Sequence, residues 1–250
     1  MSLLTLARDL KRRKARERRS LFVAEGVRAV EELLASELVV TGALVTAALS
    51  KTERGAALRA QLVVRGITCE EVSEDEFASA ADTENPQGVL GVAEIPDVML
   101  AVDQPGAARI LILDAIQDPG NVGTLIRTAA ALGAFVIALP GTADVWSAKS
   151  IRAAVGAQLR TPVVTMTAAE TLAFLASAGF ALWSTAADGE PITTVKPPPR
   201  LAIAMGNEGA GVSDVIRAAS ERVVSLPMAS GVESLNVAVA AGITLFALKP

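Results

Sequence analysis

From residue 109 onward, short uniformly apolar runs alternate with longer stretches of helical period. ILIL (110–113) and LAIAM (201–205) are the clearest of the short runs. The pattern predicts strands at Arg109–Leu113, Phe135–Leu139, Val163–Thr165, Phe180–Thr185, Leu201–Met205 and Arg222–Ser225. Helices are expected at Val122–Leu132, Ala148–Ala157, Ala168–Ala178, Val212–Ala219 and Ser234–Leu248. Strands without a polar face are buried on both sides, so the fold class is α/β, a parallel sheet covered by helices on each face. Before residue 96 the rhythm is shorter. Ser20–Ser36 places Val27, Val30, Leu33 and Leu34 on one helical stripe, followed by a strand at Leu38–Val45, a helix at Glu53–Val64, a strand at Ile67–Val72, a helix at Glu74–Ala81 and a strand at Gly88–Ile95. Residues 96–107 hold two prolines and no period, which reads as a linker between domains 1–95 and 108–250.

Composition narrows the chemistry. The 250 residues contain no His and one Cys, Cys69. A Ser-His-Asp or Cys-His nucleophile pair, a His-ligated metal, a two-Cys zinc site and an internal disulfide are therefore excluded, and no metal is expected. No uncharged run reaches the ~18 residues of a membrane span, and no apolar signal core follows the N-terminus, so a cytoplasmic protein without a membrane partner is expected. The net charge of −4 conceals an asymmetry: segment 8–19 carries eight Lys/Arg against two acids, leaving 15 basic and 25 acidic residues elsewhere. Such a run is either a solvated helical face or a partly disordered arm, or it is an arm that binds nucleic-acid phosphates through Arg12, Arg13, Lys14 and Arg16.

Ligands of open α/β sheets bind beyond the carboxyl ends of the strands, and three loops there are unusual. After Leu113 comes Asp118-Pro119-Gly120, with Asn121 as the expected helix N-cap. Val122, Leu125, Ile126, Ala129 and Leu132 face the sheet, and Thr124, Arg127 and Ala131 share the opposite face. After Met205 comes GNEGAGVS (206–213), whose glycines permit close approach to a ligand; it is neither a phosphate-binding P-loop nor a dinucleotide fingerprint, which argues against a nucleotide-dependent oxidoreductase. The third is SLPMASGVESLNVAVAAGITLF (225–246). There Ser234 reads as the N-cap, Asn236 as the second helical residue, and Leu235, Ala238, Val239, Gly242 and Leu245 as a buried stripe.

Together, NVGTLIRTAAALGA, GNEGAGVS and LPMASGVESLNVAVA resemble the three signature motifs of the SpoU (TrmH) family of RNA ribose 2′-O-methyltransferases in the SPOUT superfamily. FVAEGVRAVEELL and NPQGVLGVAEI are similar to the substrate-binding domain that precedes the catalytic domain in rRNA-modifying members, so the resemblance spans nearly the whole chain. It implies a deep trefoil knot in domain 108–250, against the rarity of knots, a small ribosomal-protein-L30e-like α/β domain in front of it, and a homodimer. It implies S-adenosylmethionine as cofactor, held by Gly206, Asn207, Leu226, Met228 and Leu235. Asn121, Arg127, Glu208, Ser234 and Asn236 become the polar set around the reacting ribose, and Glu25 and Arg28 join the basic arm and Arg127 as RNA contacts. The implied reaction is in-line attack of a ribose 2′-hydroxyl on the sulfonium methyl group, on large-subunit rRNA. A tRNA-directed enzyme of the same family and a non-catalytic RNA-binding protein are the alternatives. The family proposal gives proton removal to the motif-one Arg. A guanidinium stays protonated in proteins, so Arg127 is read as holding the developing alkoxide or a phosphate, with Glu208, a phosphate oxygen or water as the open choices of acceptor.

Overall fold

The computed structural model of the protein describes residues 1–98, 100, 106–231 and 234–249. The first 97 residues run α1 (Leu3–Leu10), α2 (Arg13–Arg19), β1 (Leu21–Glu25), α3 (Val27–Ala35), β2 (Val40–Val45), α4 (Glu53–Val64), β3 (Cys69–Glu71), α5 (Glu74–Ala80) and β4 (Val89–Glu94). Next come β5 (Ala108–Asp114), α6 (Pro119–Ala131), β6 (Ala134–Ala138), α7 (Ala148–Ala153), β7 (Val163–Thr165), α8 (Ala168–Ser177), β8 (Ala181–Pro191), β9 (Arg200–Gly206), α9 (Asp214–Ala219), β10 (Arg222–Ser225) and α10 (Val237–Ala247). Two compact units result: residues 1–97 with 146–160, and residues 98–145 with 161–250. Of the linker read at 96–107, positions 99 and 101–105 lie outside the described residues.

In the first unit the sheet order is β1-β4-β2-β3, with β4 antiparallel to both neighbours and β3 parallel to β2. Strand alternation sorts the core: Ala43, Val45 and Val89 meet α3 and α4 through Val27, Val30, Leu58 and Leu62, whereas Leu44, Leu90 and Val92 meet α1 and α5 through Leu4, Ala7, Leu10 and Phe77. The helix expected over Ser20–Ser36 is confined to α3. Its stripe of Val27, Val30, Leu33 and Leu34 is buried as expected, but 21–25 pairs with β4 as a strand, because Gly26 takes φ +95° and breaks the helix before Val27. The basic segment folds into α1 and α2. Residues 146–160, which the sequence reading placed with 108–250, pack instead with the first 97: Trp146 stacks on Phe22 at 4.8 Å, Arg152 pairs with Glu25 and Asp82, and Arg160 with Glu32. Trp146 is buried, so it plugs the unit rather than offering an open stacking face.

The second unit holds an all-parallel sheet in the order β10-β8-β9-β5-β6-β7. Ile110, Ile112, Ile137, Leu182, Ala202 and Ala204 form one core with Leu175 of α8 and Ile216 of α9. On the other face α6 buries Val122, Leu125, Ile126 and Ala129 and packs beside α10, where Gly242 faces Thr128. Strand order reverses at β5, which has β6 on one side and β9 on the other, and this switch point opens the crevice in which open sheets bind ligands. At the opposite end, buried Arg109 donates to the carbonyls of Leu248 (2.6 Å), Pro199 (2.6 Å) and Ala108 (2.9 Å), tying the end of α10 to β5. Burial pushes its guanidinium pKa down.

Candidate active site

Three loops converge beyond the carboxyl ends of β5, β9 and β10. Asp114, at the end of β5, is buried and accepts the Ser213 amide at 2.7 Å, pinning the loop after β9 to β5. Ala115 follows with φ +58°, a left-handed conformation that costs a non-glycine residue stability and recurs at functional sites. Its carbonyl accepts from Asn207 Nδ2 at 3.1 Å, while Asn207 Oδ1 accepts the amides of Gly209 (2.9 Å) and Ala210 (3.0 Å). Asn207 therefore shapes the loop. Gly206 is fixed by space: a Cβ there would lie 2.1 Å from Gly211 C and Val212 N, so the backbone can double back only without a side chain.

The start of α6 differs from the sequence reading. Asp118 is the N-cap, accepting the Asn121 amide at 2.9 Å, with Pro119 in the first helical position, where its fixed φ is favourable. Asn121 sits one turn in, and its side chain is released from capping. At α10 the cap is Asn236 rather than Ser234: Asn236 Oδ1 accepts the amides of Ala238 (2.9 Å) and Val239 (3.3 Å). The amide orientation fixed by that cap turns Asn236 Nδ2 toward Asn121 Oδ1 at 3.0 Å, and Asn121 Nδ2 in turn donates to Glu208 Oε1 at 2.6 Å. One polar chain thus runs from the backbone of α10 to the Glu208 carboxylate, joining residues 87 and 115 positions apart.

Beside it lies a cavity of about 430 Å³, within the ~300–1,000 Å³ range of small-ligand sites. Gly206, Asn207, Leu226, Met228 and Leu235 all line it, together with Glu208 and Ser234. Sequence reasoning missed the wall formed by Thr185, Ala186, Ala187 and Ile192, because β8 extends past Thr185 to Pro191, where it pairs with the bulged strand β10. Motif-three residues Val232 and Glu233 lie outside the described residues. Arg127 stands on the exposed face of α6 with no hydrogen-bond or ion-pair partner among the described residues, and it touches none of the other polar residues through a hydrogen bond.

In the first unit, Lys14 is exposed and unpaired among the described residues, Arg12 pairs with Asp9, and Arg13 pairs with Glu17. Hydrogen bonding from Arg12 and then Arg19 holds the Asp9 carboxyl pKa below its ordinary value. Arg16 is buried and donates to the carbonyls of Leu10 (2.6 Å) and Lys11 (2.9 Å), closing the end of α1. The Glu25 carboxylate is also buried, accepting the Asp82 amide at 2.8 Å and the Thr83 amide at 3.2 Å besides Arg152 at 3.1 Å. No cluster of three potential metal ligands occurs among the described residues, nor is any described helix long and apolar enough to cross a membrane.

Residues 108–246 match the model of the SpoU rRNA Methylase family, and residues 5–91 match that of the MRM3-like substrate binding domain. The chain is 35% identical over 97% of its length, and 94% of the relative's, to the 23S rRNA (guanosine(2553)-2'-O)-methyltransferase RlmP of Bacillus subtilis (strain 168). Its structure is similar to an AdoMet-bound rRNA methyltransferase from Sinorhizobium meliloti, with TM-score 0.84 and 28% identity over 99% of this chain and 95% of that one. It is also similar to the SpoU methyltransferase AviRb from Streptomyces viridochromogenes in complex with AdoMet, with TM-score 0.87 and 25% identity over 99% and 96% of the two chains. With the parallel sheet, the three convergent loops and both domain models matched, the chain belongs to the SpoU rRNA methylase family.

Proposed function

We propose that the protein transfers a methyl group from S-adenosylmethionine to a ribose 2′-hydroxyl of large-subunit rRNA. The observation that carries this reading is the Asn236–Asn121–Glu208 chain beside a cavity lined by the three motif loops. The cavity fits the cofactor: Ile192, Leu226, Met228, Leu235 and Val237 offer apolar walls for a flat base and the carbon chain around the sulfonium, and Gly206 lines the same space. When bound, the cofactor supplies an electrophilic methyl group.

The chain's own residues do the rest. Gly206, Leu226, Met228 and Leu235 hold the cofactor, and Asn207 keeps the loop closed behind it. The Asn121 amide fixes one Glu208 oxygen, leaving the other to take the hydroxyl proton. Arg127 holds the developing alkoxide or an adjacent phosphate by a charge-assisted hydrogen bond. Ser234 borders the same cavity and orients the ribose. Residues 1–95 act as the RNA substrate-binding domain, with Arg12, Arg13, Lys14 and Arg28 on phosphates and Arg127 joining them from the second unit; Arg16 and Glu25 contribute by keeping the first unit's surface folded. We further read 108–250, apart from residues 146–160 that pack with the first unit, as the knotted methyltransferase domain, with 96–107 as the first connection between the two, in a cytoplasmic homodimer. The apolar side chains Val239, Ile243 and Phe246 on α10 support the dimer: they are 51%, 46% and 65% exposed at i, i+4 and i+7 on one helical face.

The test is methyl transfer from labelled cofactor to total rRNA and total tRNA, followed by mapping of the 2′-O-methyl position. Incorporation into rRNA is expected. Incorporation only into tRNA would overturn the rRNA assignment, and cofactor binding without transfer to either RNA would leave the non-catalytic alternative.

A further inference from the structure

The first unit contains a second cavity, of about 330 Å³, all of whose lining residues belong to that unit. Its floor holds the buried Glu25 carboxylate, which is hydrogen-bonded by the Asp82 and Thr83 amides and by Arg152, a guanidinium it shares with the Asp82 carboxylate. Above it stands Arg28, exposed and without a hydrogen-bond or ion-pair partner among the described residues. Of the two acids on the same helix, Glu31 is hydrogen-bonded by Arg54 and meets Arg28 only through longer-range charge, and Glu32 pairs with Arg160. Two side-chain amides complete the rim. Gln87 Oε1 accepts the Val27 amide at 2.9 Å, which fixes the orientation of its carboxamide and leaves Nε2 to donate elsewhere; Asn85 is exposed and unbonded among the described residues. Gly26 makes room for Gln87, since a Cβ there would lie 3.0 Å from Gln87 Oε1, and its φ of +95° favours glycine at that position. Ile151 forms an apolar wall.

An unpaired guanidinium, two carboxamides with donor and acceptor atoms, and an apolar wall in a space this size match a nucleotide better than a metal or a lipid. Sequence-specific RNA recognition works mainly on single-stranded nucleotides whose base edges are free to bond. Carboxamides can pair with such edges, and Arg suits phosphate. We propose that this cavity is a nucleotide subsite holding one unpaired nucleotide of the RNA substrate, distinct from the one methylated, with its phosphate on Arg28 and its base edge on Asn85 and Gln87. This rests on the RNA methyltransferase reading.

The experiment uses the full-length protein and an rRNA fragment that it methylates, with Arg28→Gln, Arg28→Lys and Asn85→Ala compared for RNA binding across salt concentrations, cofactor binding, and turnover at saturating RNA. Arg28→Gln should weaken RNA binding about tenfold and lower the salt slope by about one, while Arg28→Lys retains the slope. Asn85→Ala should keep the slope and lose discrimination at one unpaired position of the RNA. Cofactor binding should stay at the wild-type level in all three. Wild-type RNA affinity, slope and base preference in both Arg28→Gln and Asn85→Ala would overturn the subsite while leaving the methyltransferase reading intact. A wild-type protein that neither binds nor methylates RNA would overturn both. Equally tight binding of a free mononucleotide would overturn the assignment to the RNA strand.

Discussion

Asn121→Asp changes one donor into an acceptor at constant volume, at the middle of the chain that leads to Glu208. The 2.6 Å contact from Asn121 Nδ2 to Glu208 Oε1 then becomes two carboxylates facing each other. Glu208 is exposed, so a water-like dielectric applies, and two unit charges ~3 Å apart repel by about 1.4 kcal/mol. Losing the hydrogen bond to a charged acceptor adds about 1.5 kcal/mol. The sum, roughly 3 kcal/mol, corresponds to a fall of about 100-fold in methyl transfer. The sign with pH is distinctive. Paired like charges raise one carboxyl pKa of the couple, so lowering the pH through that value places a proton between the two oxygens and restores the bond. Single-turnover transfer measured from pH 8 to pH 5.5 should therefore show the Asn121→Asp deficit shrinking as pH falls, relative to wild type. Asn121→Ala, which adds no carboxylate, should show a smaller deficit that does not shrink. Identical pH profiles for the two variants would refute the reasoning.

Arg127→Lys keeps the charge and loses the planar fork; turnover should fall at least tenfold, and full turnover with normal RNA affinity would remove both roles given to the guanidinium. Phe246→Asp should leave only monomers in sedimentation where the wild type sediments as the proposed homodimer, and equal masses for the two would discount the α10 stripe. Arg109→Met, which strips the Leu248, Pro199 and Ala108 carbonyls of their donor, should cost about 2–4 kcal/mol in chemical unfolding, and a loss below 1 kcal/mol would show that water replaces it. Bonds from Ser73 and Thr167 depress the pKa values of Glu76 and Glu170 in the capping boxes of α5 and α8. Their stabilisation is thus complete above the ordinary carboxyl pKa and lost as pH falls through the depressed values. Glu76→Gln/Glu170→Gln should flatten the acid limb of the unfolding curve.

Much of the catalytic unit was legible because its strands are short apolar runs between strong punctuation. All six strands of the parallel sheet begin within one residue of where the alternation put them, although β8 runs on past Thr185 to Pro191, and the predicted cofactor residues share one cavity. Caps were read less well. Asp118 outcompetes Asn121 because Pro119 fixes the first turn, and no local signal says which of two good capping residues a distant carboxylate will recruit. The face of α10 was misread too: Val239 is exposed whereas Val237, Ala241 and Thr244 are buried. A helix apolar on nearly every side carries no phase from which to choose. Arg16 and Glu25 looked like surface charges, since only the folded chain reveals the carbonyls and guanidinium that bury them.

The assignment of 146–160 to the first unit makes both units discontinuous, so three covalent crossings join them, at 97/98, 145/146 and 160/161. Neither unit can be excised as a single cassette. A fragment ending at residue 97 would lack the indole that covers Phe22 and the guanidinium that neutralises Glu25, exposing an aromatic ring and burying an uncompensated charge. Exchange of substrate-binding modules between such enzymes therefore requires two grafts made together, one at the N-terminus and one inside the catalytic sequence, and proteolytic nicking at any one junction leaves the two units covalently linked.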